Sequence, residues 1–321
     1  MKLFGRVFAG LAFAGLALMA GPALAQQDIK IMAPAAPGGG WDSTARSIQQ
    51  TLMQTGLAKS VQVTNVTGAG GTVGLAQFIT GAKGDPNQLI VNGFVMVGAI
   101  LTNKSPVTLD QVTPIARLTG EALVIVVPAS SPHKTIQDLS AAVKADVAKA
   151  VWAGGSAGGT DHILAALFTK AAGAEAAKVN YVAFSGGGEA LAAMLGGRVT
   201  AGISGYGEFE SQIKTGKLRA LAVSSPKRIE GVDVPTLKES GIDVEMVNWR
   251  AVMAPPGLTA EQRKSVTDMI EKMTKSKEWA EVLKARGWDD YFMAGDTFDA
   301  YLKSEQSRVG DILRSVGLVK S

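Results

Sequence analysis

Along this chain, short runs of apolar, largely β-branched residues alternate with segments whose apolar positions recur at helical spacing. The runs Ile29–Ala33, Val61–Val66, Leu89–Val91, Leu123–Val127, Ala150–Ala153, Val179–Phe184, Val199–Ile203 and Leu218–Val223 read as strands. Ser43–Thr55, Ile163–Ala172 and Leu191–Leu195 read as helices between them. Strand–helix alternation of this kind predicts an α/β protein, with mainly parallel sheets flanked by helices on both faces.

The last third has a different rhythm. Thr259, followed three residues later by Gln262, predicts a capping box. Val266, Met269, Ile270 and Met273 then form one apolar face, and Trp279, Val282 and Leu283 carry it on until Gly287 stops the helix. A final helix is predicted over roughly Thr297–Val316, with Asp296 as its N-cap. This helical section is expected to pack across one lobe, with its Met and Trp side chains in the core. Extended segments at Arg117–Val127 and Val244–Ala254, the second closed by Pro255-Pro256-Gly257, suit crossings between two lobes. The expected division is 26–120 plus 248–321 for one lobe and 121–247 for the other, in keeping with a mature length of about 300 residues.

The N-terminus reads as a cleavable export signal. Lys2 and Arg6 precede an apolar run from about Val7 to Ala20, and Ala23-Leu24-Ala25 offers the small residues a signal peptidase needs. Cleavage is expected after Ala25; the alternative, a membrane anchor, suits so short a run less well. Absence of Cys removes disulfides, thiolate metal sites and cysteine nucleophiles. The chain carries 32 Lys and Arg against 28 Asp and Glu, and loss of Lys2 and Arg6 leaves 30 against 28. That balance gives no nucleic-acid footprint.

The 38 glycines are clustered, and five clusters sit where a strand feeds a helix. They are Pro37–Asp42, Thr67–Thr72, Gly154–Asp161, Ser185–Glu189 and Ser204–Glu208. Glycine permits close approach to the backbone, and a helix start offers unpaired N–H groups and the positive end of the helix dipole. Such turns make an anion site without Lys or Arg, at the strand ends where ligands bind in open sheets. One such turn alone is as readily a tight connection. Asp42, Asp161, Glu189 and Glu208 stand near these helix starts and read as caps rather than ligand groups, since a carboxylate would repel an anion. Asp42 keeps a second reading, contact with a ligand hydroxyl or an ordered water.

Enzyme chemistry finds little support. Gly154-Gly155-Ser156-Ala157-Gly158 matches the nucleophile-elbow pattern, but His133 precedes the Ser and His162 follows it by six residues. No later His supplies a base. Two isolated His without Cys make no metal cluster, and no phosphate-loop or dinucleotide motif is present. Neither catalytic residue, metal nor cofactor is expected.

Taken together, Pro37–Arg46, Asn65–Thr72, Gly154–His162, Phe184–Glu189 and Ser204–Glu208 resemble the loops of tripartite tricarboxylate transporter receptors, also called Bug proteins. The likeness runs over essentially the whole mature chain. It implies a two-lobed type II periplasmic-binding-protein fold, monomeric, that closes on a small carboxylate and docks on integral-membrane permease subunits. By that resemblance Gly39, Gly40, Trp41, Ala69, Gly70, Gly71 and Thr72 hold a carboxylate in the first lobe. Ser156, Ala157, Gly158, Thr160, Ser185 and Tyr206 select the rest of the ligand in the second. Trp41 departs from the smaller residue common in the family and resembles the branch associated with citrate; it either walls the pocket or packs under the loop. The implied role is uptake of a citrate-like di- or tricarboxylate from the periplasm, the alternative being a sensor of the same ligands for a signalling partner.

Overall fold

The computed structural model describes residues 27–184 and 187–320, so the expected signal segment 1–25 and Ser185 lie outside the described residues. In chain order the first elements are β1 (Gln27–Ala33), α1 (Gly40–Gln54), β2 (Ala58–Asn65), α2 (Thr72–Gly81), β3 (Gln88–Gly93) and α3 (Phe94–Thr102). They are followed by β4 (Thr113–Pro128), α4 (Ile136–Ala145), β5 (Val151–Gly154), α5 (Thr160–Ala171), β6 (Asn180–Ala183), α6 (Gly187–Leu195), β7 (Ala201–Gly205), α7 (Tyr206–Lys214) and β8 (Leu218–Val223). The chain then returns through β9 (Val247–Ala254) and ends in α8 (Ala260–Thr274), α9 (Lys277–Arg286), β10 (Asp289–Ala294) and α10 (Gly295–Ser315).

All eight expected strands are present, and parallel pairing joins β1 to β2 and β3, and β5 to β6 and β7. Between these flanks the pairing is antiparallel, because two long strands run through the middle. Residues Thr113–Ala122 of β4 pair with β9, and its Ala116–Gly120 stretch also pairs with β10. From Leu123 onward the same strand pairs with β7 and β8. One strand thus serves as the spine of two sheet halves, and its partners change between Ala122 and Leu123.

That spine is apolar on both faces, which is why it reads as a continuous run rather than an alternation. Leu123, Ile125 and Val127 enter the main core, while Val124 and Val126 enter a second core with Ala153, Met194 and Phe209. Side chains that alternate across a strand can feed two cores only if helices cover both sides of the sheet.

The C-terminal section differs from expectation in two places. The apolar face from Val266 to Leu283 belongs to two helices, because Ser276 accepts the Trp279 N–H and starts α9 afresh. Asp296 lies inside the first turn of α10 rather than at its cap, which is Ala294 without a side-chain bond. Gly295 at φ 63 supplies the turn into that helix, so no capping side chain is needed to set its direction. α10 packs on β4 and α3, and Glu305 accepts the Trp249 indole N–H at 2.8 Å. That bond anchors β9, the strand that carries Arg250 into the cleft.

Candidate ligand-binding site

Each Gly-rich cluster follows the carboxyl end of a strand and opens a helix, as the alternation predicts. The turn before α1 is braced from inside. Gly38, at φ +83, donates its N–H to Asp42 Oδ2 at 2.8 Å, and Asn65 Nδ2 donates to Asp42 Oδ1 at 2.9 Å. Arg46 Nε adds a third bond at 3.0 Å. Burial raises the Asp42 carboxyl, but the bonds from Arg46, Gly38 and Asn65 outweigh it and hold the group below the usual carboxylate range.

The turn before α5 repeats this design with a different acceptor. Gly155 donates to Asp161 Oδ2 at 2.7 Å, and Gly158 donates to His162 Nδ1 at 3.1 Å. The Thr160 hydroxyl donates to Asp161 Oδ1 at 3.0 Å. Tyr181 stacks on His162 with ring centroids 4.2 Å apart, and its hydroxyl bonds Gly155 O at 2.8 Å. Burial pushes His162 down to about 4, so it is neutral and its Nδ1 is occupied by Gly158. It is a brace for the turn, not a base for Ser156.

The Thr67–Thr72 turn has four successive residues at positive φ, Gly68, Ala69, Gly70 and Gly71. Ala69, at φ 45, is held there by Asn103 Nδ2 and Thr72 Oγ1, which both donate to its carbonyl. A Cβ on Gly71 would stand 2.5 Å from the Trp41 ring, so the indole packs directly beneath this turn.

These turns meet at a cavity of about 410 Å³. Of the residues expected to bind ligand, Gly39, Gly40, Trp41, Ala69, Gly70 and Gly71 line it from one sheet half, and Ser156, Ala157 and Thr160 from the other. Trp41 meets both readings, since it lines the cavity and underpins the second turn. Asp42 and Thr72 are spent on their own turns and do not line it. Gly158 lies against α3, where Thr102 fills the space a Cβ would need, and Tyr206 is buried in the second core. The start of α1 has no side-chain cap, and neither do those of α2, α5 and α7. Their first N–H groups are left without a side-chain acceptor, and the first residues of α1 and α5, Gly40 and Thr160, line the cavity.

Sequence reasoning missed the charged floor of the cavity. Arg250 of β9 and Glu121 of β4 form an ion pair through Nη2 and Oε2, each side chain 3% exposed. Arg250 Nη1 is buried with no hydrogen-bond partner. Asp161, Glu189 and Glu208, expected as caps, line the same cavity, as does Asn248. Glu208 accepts the Ser204 hydroxyl at 3.0 Å. A smaller cavity of about 240 Å³ adjoins, sharing Gly40, Glu208 and Arg250 with the first. The missed signal was charge inside two apolar strands, Glu121 in β4, which also carries Arg117, and Arg250 in β9. Buried charges need partners, so these two were candidates for each other. Among the described residues no group of three or more His, Asp and Glu is spaced to hold a metal ion.

Comparison with known proteins matches residues 44–318 to the family model described as tripartite tricarboxylate transporter family receptor. A UPF0065 protein of Agrobacterium vitis is 30% identical over 77% of this chain and 71% of its own length. Protein BugT of Bordetella pertussis is 29% identical over 90% of this chain and 89% of its own. Among solved structures, the periplasmic binding protein BugD superposes with a TM-score of 0.81 at 23% identity, covering 92% of this chain and 99% of that one. MatC from Rhodopseudomonas palustris, with bound malate, gives 0.77 at 22% identity over 89% and 99%. An R. palustris protein with adipate gives 0.82 at 20% over 92% and 99%.

Proposed function

Because the chain belongs to the tripartite tricarboxylate transporter receptor family, we propose that it captures a citrate-like di- or tricarboxylate in the periplasm and delivers it to the membrane permease of such a transporter. The observation that carries this reading is the cavity between uncapped, Gly-rich helix starts from both sheet halves. Amides at those starts hold an anion by hydrogen bonding and by the helix dipole. Malate and adipate in two structural neighbours are dicarboxylates, which supports the ligand class.

The lobes are 26–120 plus 248–321 and 121–247, a division supported by the change of β4 partners between Ala122 and Leu123. The carboxylate sits on Gly39, Gly40 and Trp41 and on Ala69, Gly70 and Gly71, facing Ser156, Ala157 and Thr160. The receptor acts as a monomer and is exported with cleavage after Ala25, which N-terminal sequencing of the exported protein checks. Calorimetry of the mature protein against citrate, tricarballylate, malate, succinate and adipate tests the ligand class. Saturable heat at micromolar concentration is expected with at least one; silence across the panel overturns the reading.

A further inference from the structure

The floor of the cleft holds more charge than capture by amides requires. Glu121, Asp161 and Glu208 gather around Arg250, the sole basic side chain among the described residues lining the larger cavity. Arg250 commits Nη2 to Glu121, and its Nη1 is left buried and unpartnered. Asp161 is satisfied within its own turn by Gly155 and Thr160. Glu208 has the Ser204 hydroxyl on one oxygen and lines both cavities. The other charged groups around it are Glu189 at the start of α6, in the larger cavity, and Glu210 and Arg286 in the smaller one.

Glu121 and Arg250 pair, so ionised Asp161 and Glu208 have no further cation among the described residues lining the larger cavity. Arg250 Nη1 lacks an acceptor of its own, and a ligand carboxylate is the acceptor that suits a guanidinium best. Docked there, it would add a third negative charge in a site where water screens little. A carboxyl in such a place takes up a proton rather than remain ionised.

We propose that a second carboxylate of the ligand docks on Arg250 Nη1 and that Glu208 takes up one proton as it does so, then donating a hydrogen bond to the ligand. The inference rests on the carboxylate-receptor reading and makes Glu208 the residue that admits a second acidic group. Desolvation, together with the charges of Glu121 and Asp161, already pushes the Glu208 carboxyl up to about 7 against the pull of Arg250. Burial raises Asp161 to about 6. A ligand charge moves Glu208 further in the same direction. Proton uptake is therefore absent where Glu208 is already protonated, below about pH 6, and approaches one per ligand above its free value. Affinity levels off toward about pH 6.5, while the ligand is still fully ionised, and falls by about tenfold per pH unit on the alkaline side.

Titration calorimetry of the mature protein with malate and with adipate, both fully ionised above about pH 6.5, tests this in phosphate and in Tris at pH 8. The two buffers differ in ionisation enthalpy, so the difference in heat counts protons. Uptake near one per ligand is expected, falling to about a quarter at pH 6.5, where Glu208 is already mostly protonated. In Glu208→Gln, which keeps a donor without a titrating proton, uptake at pH 8 should disappear and affinity become flat with pH. Wild-type binding at pH 8 without proton uptake overturns the proposal while leaving carboxylate capture standing, as does unchanged uptake in the Gln variant. Absence of binding at every pH overturns both. Should the variant fail to fold, the wild-type uptake and its pH profile still decide.

Discussion

Helices that open onto the cleft begin differently from those that cover the outside of the molecule. α1, α2, α5 and α7 start behind Gly39, Gly71, Gly159 and Gly205, with no side-chain cap on any of them. α4, α8 and α9 start behind Thr135, Thr259 and Ser276, whose hydroxyls accept a backbone N–H, and the first two complete reciprocal boxes with Asp138 and Gln262. α10 is uncapped without lining the cavity, so the rule is a tendency of the fold. The lesson is one of competition. A capping side chain occupies the donors an anion would use, so a helix can close its own end or keep it open for a guest.

The hardest test of that contrast removes the one cation that the described residues bring to the larger cavity. Arg250→Met leaves Glu121 buried without its partner and should cost about 3–5 kcal/mol in urea unfolding, with part recovered when Glu121→Gln is added. If affinity for a monocarboxylate survives in that variant, the amides alone hold the first carboxyl group. Next in size is Gly71→Ala, which forces a side chain at φ +91 into the Trp41 ring. It should lose about 1–3 kcal/mol of stability and weaken binding at least tenfold by calorimetry. At the periphery, Thr259→Ala should cost about 1 kcal/mol and leave affinity unchanged. The smallest effect is the sharpest. Gly39 is extended, at φ −79 and ψ 173, with room for a Cβ, so Gly39→Ser can cap α1. A gain of a few tenths of a kcal/mol in stability is expected together with several-fold weaker binding. Unchanged affinity there would break the comparison.

The cleft turns were legible in the sequence because each is local. A strand end, a glycine cluster and the first helical residues lie within eight positions, and their donors point where the backbone directs them. Asp42 was read as a cap, but α1 has no side-chain cap and the Asp42 carboxylate accepts instead from Gly38, ahead of the helix start. Trp41 stayed open between two roles because the turn it supports belongs to a different β–α unit. Gly158 and Tyr206 fit the local pattern of the other turns, yet one meets α3 and the other the core, neighbours that no local pattern encodes. The break between α8 and α9 was hidden by an apolar face that continues across Ser276.

The sequence by itself therefore determined the α/β alternation, the five Gly-rich helix starts and the family, since all of these reside in stretches of a few residues. Only the tertiary structure decided the charge of the site. Glu121 and Arg250 are 129 residues apart and meet because the chain returns through β9 to pair with β4. Glu208 and Asp161 become difficult to ionise through burial and through the neighbours that this return brings beside them. Backbone donors follow from local conformation, whereas the free energy of a charge follows from everything packed around it.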